Sequence, residues 1–261
     1  MERAEGQLLA LWKQVFPGDD GFWERFFDCV YEESHCLTLE EEGQLRAALY
    51  WFDCDCGGPW AYIFAVATHP SHRGKGLCRK LMEKTHTHLK ALGYRGALLV
   101  PAEEGLRRMY GKLGDREGTT LDVFSGEASE TPIPLRSLTP EDYRLARREF
   151  LPARSVLQRA ETFTLLAQTG VRFYAGEGFL MAGEFGPEAH VLEYLGDKSK
   201  APGALAALGC AKGSFRSPGG QMPFAMVHPF REDAPLPEYF AFAFDRKIPL
   251  RHAAAFLPGI F

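Results

Sequence analysis

The 261-residue chain has no uninterrupted apolar run of about 18 residues and no signal-peptide-like stretch at its N-terminus. A membrane-spanning helix and an export signal are therefore not expected, and a soluble cytoplasmic protein is. It also lacks an excess of positive charge: 30 Lys and Arg stand against 34 Asp and Glu, for a net charge of −4. That balance does not favour a nucleic-acid partner. No Cys-x-x-Cys pair occurs among the six cysteines (Cys29, Cys36, Cys54, Cys56, Cys78 and Cys210), and Cys54-Asp55-Cys56 has no matching second half. Strand alternation puts Cys54 and Cys56 on one face as small buried residues, and a reducing compartment suits all six. The eight histidines show no metalloenzyme spacing, and His86 and His88 straddle their helix. No metal is expected.

The chemistry concentrates between Ala61 and Leu92. An apolar run, Ala61 to Ala67, leads through Thr68-His69-Pro70 into the basic turn Ser71-His72-Arg73-Gly74-Lys75-Gly76 and then a helix. Leu77, Leu81, Met82, Leu89 and Leu92 recur at helical spacing, and Gly93 supplies a stop. Gly96 to Val100, bounded by Pro101, reads as a buried strand. A helix start leaves several backbone N–H groups without intrahelical partners, at the positive end of the dipole. Gly74 and Gly76 remove side chains that would hold an anion away, while Arg73 and Lys75 add charge. The turn is thus a cradle for a phosphate or pyrophosphate.

Three readings of this turn compete. A nucleotide P-loop needs Ser or Thr after its Gly-Lys, and here Gly76-Leu77 follows Lys75. A dinucleotide fingerprint needs a third glycine, and Cys78-Arg79 occupies that stretch. Gly-Lys-Gly by itself is most simply a solvated basic helix start. The surroundings decide. Arg73-Gly74-Lys75-Gly76-Leu77-Cys78 resembles the Arg/Gln-x-x-Gly-x-Gly/Ala motif of the GNAT family of N-acetyltransferases, and Val66 to Pro70 resembles its central strand and exit. Glu103 to Asp115 is similar to that family's Asn-x-x-Ala-x-x-x-Tyr-x-x-x-Gly-Phe segment. The match covers roughly residues 1 to 125.

The resemblance implies that the amides of Arg73, Gly74, Lys75, Gly76, Leu77 and Cys78 hold the pyrophosphate of acetyl-CoA. It implies that the central strand splays from its neighbour, so that Phe64, Val66, Ala67 and Thr68 pair with the pantetheine arm. It gives Tyr110 the role of protonating the leaving thiolate, a task that suits a phenol neutral at pH 7. Three positions depart from the pattern: Cys78 stands for Gly or Ala, Glu103 for Asn, and Asp115 for Phe. A cofactor-binding protein with weak or lost catalysis is therefore the alternative to an enzyme.

Upstream, Leu8, Leu9, Trp12, Val15 and Phe16 form one helical stripe, and Phe22, Trp23, Phe26, Phe27, Val30 and Tyr31 a second, capped by Asp19 or Asp20. A hairpin over His35–Glu40 and Gln44–Cys54 follows. A linker rich in Ser, Gly, Glu, Thr and Pro lies near Ser125 to Pro134. Beyond it the element order repeats: a helix at Thr139-Pro140-Glu141, another over Ser155 to Thr169, strands near 171–175, 178–184 and 188–195, a helix from Pro202 to Gly209, and strands near 222–228 and 238–245. Where the first half has its cradle, the second has Gly196-Asp197-Lys198-Ser199-Lys200. The fold class expected is α/β with mixed sheets, in two sequential GNAT-like domains. Residues 1–126 would bind acetyl-CoA, and 132–261 would form a degenerate second domain without a cradle; an unrelated α+β domain is the other reading of that half.

An amine must be neutral to attack a thioester, so a base is needed. Asp53, Glu40 and His69 qualify by position on or beside the central strands. Some tandem GNAT proteins use the chain-terminal carboxylate, which would give that role to Phe261. The expected function is acetyl transfer to an amine of a small molecule or peptide, with room for a homodimer; a CoA-binding or sensing module is the alternative.

Overall fold

The computed structural model describes residues 3–17 and 20–244. Two helices, α1 (Arg3–Val15) and α2 (Asp20–Cys29), precede three strands: β1 (Cys36–Glu41), β2 (Gln44–Asp55) and β3 (Pro59–Thr68). Helix α3 (Leu77–Ala91) leads to β4 (Gly96–Leu99), and α4 (Glu104–Gly111) to β5 (Arg116–Glu117) and β6 (Thr120–Glu127). Then come β7 (Arg136–Leu138), α5 (Pro140–Ala146), β8 (Leu157–Gln158), α6 (Ala160–Gln168), β9 (Arg172–Gly176), β10 (Phe179–Phe185) and β11 (Glu188–Gly196). Helix α7 (Ala201–Ala207), β12 (Lys212–Pro223) and β13 (Met226–Pro229) complete the described chain. No described helix is long and apolar enough to cross a membrane.

The strands form two mixed sheets. The first runs β1-β2-β3-β4-β13-β5, with β8 also on β2; the second runs β6-β12-β11-β10-β9-β7. In each, three successive antiparallel strands end in a parallel partner reached through a helix: β3 with β4 after α3, and β11 with β12 after α7. In each, the next strand is antiparallel and comes from the other half of the chain. β13 pairs with β4, and β6 pairs with β12. The sheets thus exchange strands reciprocally across the linker.

Burial follows the sequence patterns. Trp12, Trp23, Phe26 and Phe52 pack on one face of the first sheet, in a core continuous with Tyr143, Phe163 and Phe242 beside α5 and α6. Leu77, Leu81, Met82 and Leu89 of α3 pack on the opposite face with Trp51, Ile63 and Tyr110. Leu92, placed on that stripe by its spacing, is 58% exposed because the helix ends at Ala91 and Gly93 turns the chain at φ +88°.

Three expected elements differ. The helix expected over Ser155 to Thr169 begins only at Ala160: Leu157–Gln158 pairs with Asp55 and Cys54 of β2, and Val156 N–H donates to Tyr239 O at 2.8 Å. The strand expected near 222–228 is broken at Phe224–Ala225, whose backbone bonds instead to Thr119. Residues 238–244 form no strand beyond an isolated bridge of Tyr239 to Ser155, because Ala241 O is taken by the Gln158 amide at 2.5 Å. The capping Asp19 lies outside the described residues.

Candidate active site

A bulge in β3 shapes the site. Ala48 pairs with Ala67 and Tyr50 with Phe64, so Ala65 and Val66 together oppose the single residue Leu49. Ala65 sits at φ +51°, uncommon for a residue with a side chain, and its carbonyl accepts from the Trp12 indole at 2.9 Å. The extra residue reverses side-chain parity: Phe64 and Ala65 both pack toward α1 and α2, and Val66 packs toward α3. Pairing of β3 with β4 covers only Trp60–Tyr62 against Gly96–Leu98, so beyond Tyr62 the two strands no longer share a ladder. Phe64, Val66 and Thr68 lie on this opened length, half-buried.

The strand then delivers the chain to the basic turn. Pro70–His72 makes one 3-10 turn, and Gly74 and Gly76 both adopt φ +77°. Gly76 is the N-cap of the 15-residue α3, with no side chain capping the helix and its own carbonyl receiving Lys80 N–H at 3.0 Å. The space where a Cβ would stand is open at both glycines. Arg73 and Lys75 are exposed, and neither forms an ion pair with a described residue. The Arg73 N–H, expected among the free amides, donates to Pro70 O at 3.4 Å as it closes the 3-10 turn, so the open amides begin at Gly74. With the positive dipole end and two exposed cations they meet at one turn.

Tyr110 projects from α4 into the core beneath this turn, 5% exposed, among Leu77, Leu99 and the half-buried Cys78. Burial pushes its hydroxyl far above the usual tyrosine range, with Cys78 and Asp115 adding to the effect. The phenol is thus held protonated, and its hydroxyl has no hydrogen-bond partner among the described residues. Cys78 is raised by burial and behaves as packing. Glu103 is the N-cap of α4, and its side chain makes no cap bond.

The three candidate bases separate. Asp53 pairs with Ala61, at the far end of β3 from Thr68, about 23 Å away at 3.3 Å per residue. It is engaged by the Tyr94 hydroxyl, His35 Nε2 (3.3 Å) and Arg159 Nη2 (2.7 Å). Asp53 is therefore a structural ion centre. Glu40 is exposed on the edge strand β1. His69 caps the Pro70–His72 turn, with Nδ1 2.8 Å from Ser71 Oγ. Phe261 lies outside the described residues.

The second half builds the same corner differently. β11 also carries an extra residue, Leu192, and its pairing with β12 ends at Val191. There the Asp197 carboxylate accepts from Ser199 N–H at 2.9 Å and Ser199 Oγ at 2.7 Å. A resident carboxylate thus caps the turn that leads into α7.

Comparison with known proteins bears on the fold that carries this site. The acetyltransferase (GNAT) domain model matches residues 2–114. That segment resembles a GNAT acetyltransferase domain. A GCN5-related N-acetyltransferase from Kribbella flavida is 18% identical, with 86% of this chain and 70% of that one covered at a TM-score of 0.65. One from Anabaena variabilis is 15% identical, with 87% and 70% covered at 0.65. A tandem GNAT protein from the clavulanic acid biosynthesis pathway is 13% identical, with 86% and 94% covered at 0.51. The chain therefore has the mixed α/β fold of GNAT N-acetyltransferases well beyond the matched domain. No curated protein matches the sequence.

One buried group in the matched segment is not marked by residue spacing. Asp115, two residues beyond Leu113, is buried beside His86 of α3 and His228 of β13. Burial raises Asp115 to about 7 and lowers His86 to about 3. A buried carboxylate in place of the family's Phe was the one sequence signal of this cluster, since its partners lie far away along the chain.

Proposed function

We propose that the protein is an acetyl-CoA-dependent N-acetyltransferase acting on an amine of a small molecule or peptide. The observation that carries this reading is the continuity of the opened β3 edge with the uncapped, doubly basic start of α3. A pantetheine arm and a pyrophosphate are joined end to end in the same way. Acetyl-CoA would be the acyl-donor substrate, supplying an activated thioester. Backbone groups of Phe64, Val66, Ala67 and Thr68 would orient the arm, and Arg73, Gly74, Lys75, Gly76, Leu77 and Cys78 would hold the pyrophosphate. Tyr110, kept neutral by burial, would donate its proton to the departing thiolate. Asp197 fills the corresponding corner of the second, GNAT-like half, so one donor per chain is expected.

Thermal unfolding with and without acetyl-CoA, followed by a thiol-release assay over a panel of amines, tests this. Acetyl-CoA at 100-fold its Kd should stabilise the fold by about 2.7 kcal/mol. Absence of any shift would overturn the reading; a shift without thiol release would leave a CoA-binding module. Amidating the C-terminus without loss of turnover would remove the Phe261 carboxylate from consideration as the base.

A further inference from the structure

Three polar side chains remote in sequence converge on the α3 face of the first sheet. His86 comes from the middle of α3, Asp115 from the turn after α4, and His228 from β13, the strand given by the C-terminal half. One ligating atom from each lies within 4.8 Å of the other two. The imidazoles face each other with ring centroids 3.9 Å apart and planes inclined at 33°. His228 Nδ1 is 3.9 Å from Asp115 Oδ1, too far for a hydrogen bond.

None of the inward atoms is satisfied. His86 Nε2, Asp115 Oδ2 and His228 Nδ1 are buried and have no hydrogen-bond partner among the described residues. The Asp115 side chain is only 1% exposed. Phe230 closes one side, its ring 5.6 Å from His86 and 5.7 Å from His228. An isolated buried carboxylate oxygen costs more than an ordinary unmade hydrogen bond. Three unsatisfied buried polar atoms on residues clustered this closely point to a shared missing partner.

We propose that His86, Asp115 and His228 bind one divalent first-row transition metal ion, and that this ion is structural. Two imidazole nitrogens and one carboxylate oxygen suit Zn²⁺ or its neighbours, and are a poor set for Mg²⁺ or Ca²⁺, which prefer oxygen. With bonds of about 2.0–2.2 Å, tetrahedral ligand atoms stand about 3.4 Å apart, so a spacing of up to 4.8 Å must close by about 1 Å as the ion binds. His228, 24% exposed, is the ligand with room to move, and solvent on its side can complete the coordination. The ion would join α3, the end of α4 and β13. Asp115 N–H already donates to Tyr110 O at 3.2 Å, so fixing Asp115 also fixes the turn that ends the Tyr110 helix. The site lies within the fold rather than in the cradle, and its occupancy is separable from acetyl-CoA binding.

The test uses the full chain, stripped with a chelator and titrated with Zn²⁺ against a chromophoric competitor. One equivalent should bind, and the unfolding midpoint should rise by roughly 5–10 °C at 100-fold excess over Kd. His228→Gln and His86→Gln should each lose the tight equivalent and the thermal shift. Substituting Co²⁺ in the unmutated protein should give visible d–d bands of nitrogen–oxygen coordination, a readout that needs no variant to fold. No tight equivalent, or tight binding that survives both substitutions but disappears with His69→Gln/His72→Gln at the exposed turn, would overturn the proposal. So would an unfolding midpoint indifferent to Zn²⁺, which would leave an internal water as the common partner.

Discussion

Arg147 and Glu193 grip each other through two parallel hydrogen bonds, Nε to Oε2 at 2.9 Å and Nη2 to Oε1 at 2.5 Å, with their side chains 1% and 0% exposed. Tyr143 and Tyr239 donate to the same carboxylate at 2.9 and 3.1 Å, and Gln158 accepts from Arg147 Nη1 at 3.0 Å. Every strong donor in the group is answered. Glu193→Ala leaves the guanidinium buried and unpaired, and should lower the unfolding free energy by about 3–5 kcal/mol. Urea denaturation measures this. Replacing Arg147 and Glu193 together with Met and Leu should cost less than the single change, because no charge is then stranded.

Gly76 tests the cradle without disturbing the core. Gly76→Ala puts a side chain at φ +77°, where the strain is about 1–2 kcal/mol, in a position otherwise open to solvent. Folding should survive with a slightly lower midpoint. The Kd for acetyl-CoA should rise tenfold or more, as calorimetric titration would record; an unchanged Kd would remove the turn from the donor site.

Tyr110→Phe deletes one hydroxyl and leaves the packing against Leu77 and Leu99 intact. If the phenol is the proton donor, kcat should fall about 10²-fold or more while KM for acetyl-CoA stays within about threefold. Steady-state kinetics on whichever amine gives turnover decides the point. Equal kcat values in the two proteins would reduce Tyr110 to a core residue.

The pair formed by His35 and Asp53 gives stability a definite pH dependence. Hydrogen bonding to Asp53 lifts His35 above its ordinary value, against the opposing effect of burial. Burial pushes Asp53 upward, but hydrogen bonds with His35 and Tyr94 outweigh it and hold the carboxyl below its usual range. The His35 contribution is complete below about pH 6.5 and is lost as pH rises through the raised value. The Asp53 contribution is present above about pH 3.9 and is lost as pH falls through the lowered value. The pair is therefore worth most between about pH 4 and pH 6.5. The stability difference between the natural protein and Asp53→Asn should be larger at about pH 5.5 than at about pH 8, as urea midpoints would report.

Local chemistry was legible in the sequence, and long-range pairing was not. The apolar run to Ala67, the glycine-spaced turn and the stripe Leu77 to Leu89 each carry their own local signal, so the strand, turn and helix could be read directly. Asp53 looked like a candidate base because its restraints, Tyr94 and Arg159, lie outside any sequence window around it. Leu157–Gln158 was absorbed into a helix because only β2 makes it a strand. His228 had no local feature to mark it. Its significance comes entirely from β13 lying beside β4.

That exchange also bears on how the chain comes off the ribosome. β4 emerges early, but its neighbour β13 is made nearly half a chain later, and β6 must likewise wait for β12. Neither sheet can close until its partner strand has been made, so the first sheet carries an open β4 edge until β13 has emerged. Such late, non-local closure slows folding and leaves an edge on which another chain can pair. Each half therefore completes its sheet only with a strand from the other, and neither can be finished as a separate bead.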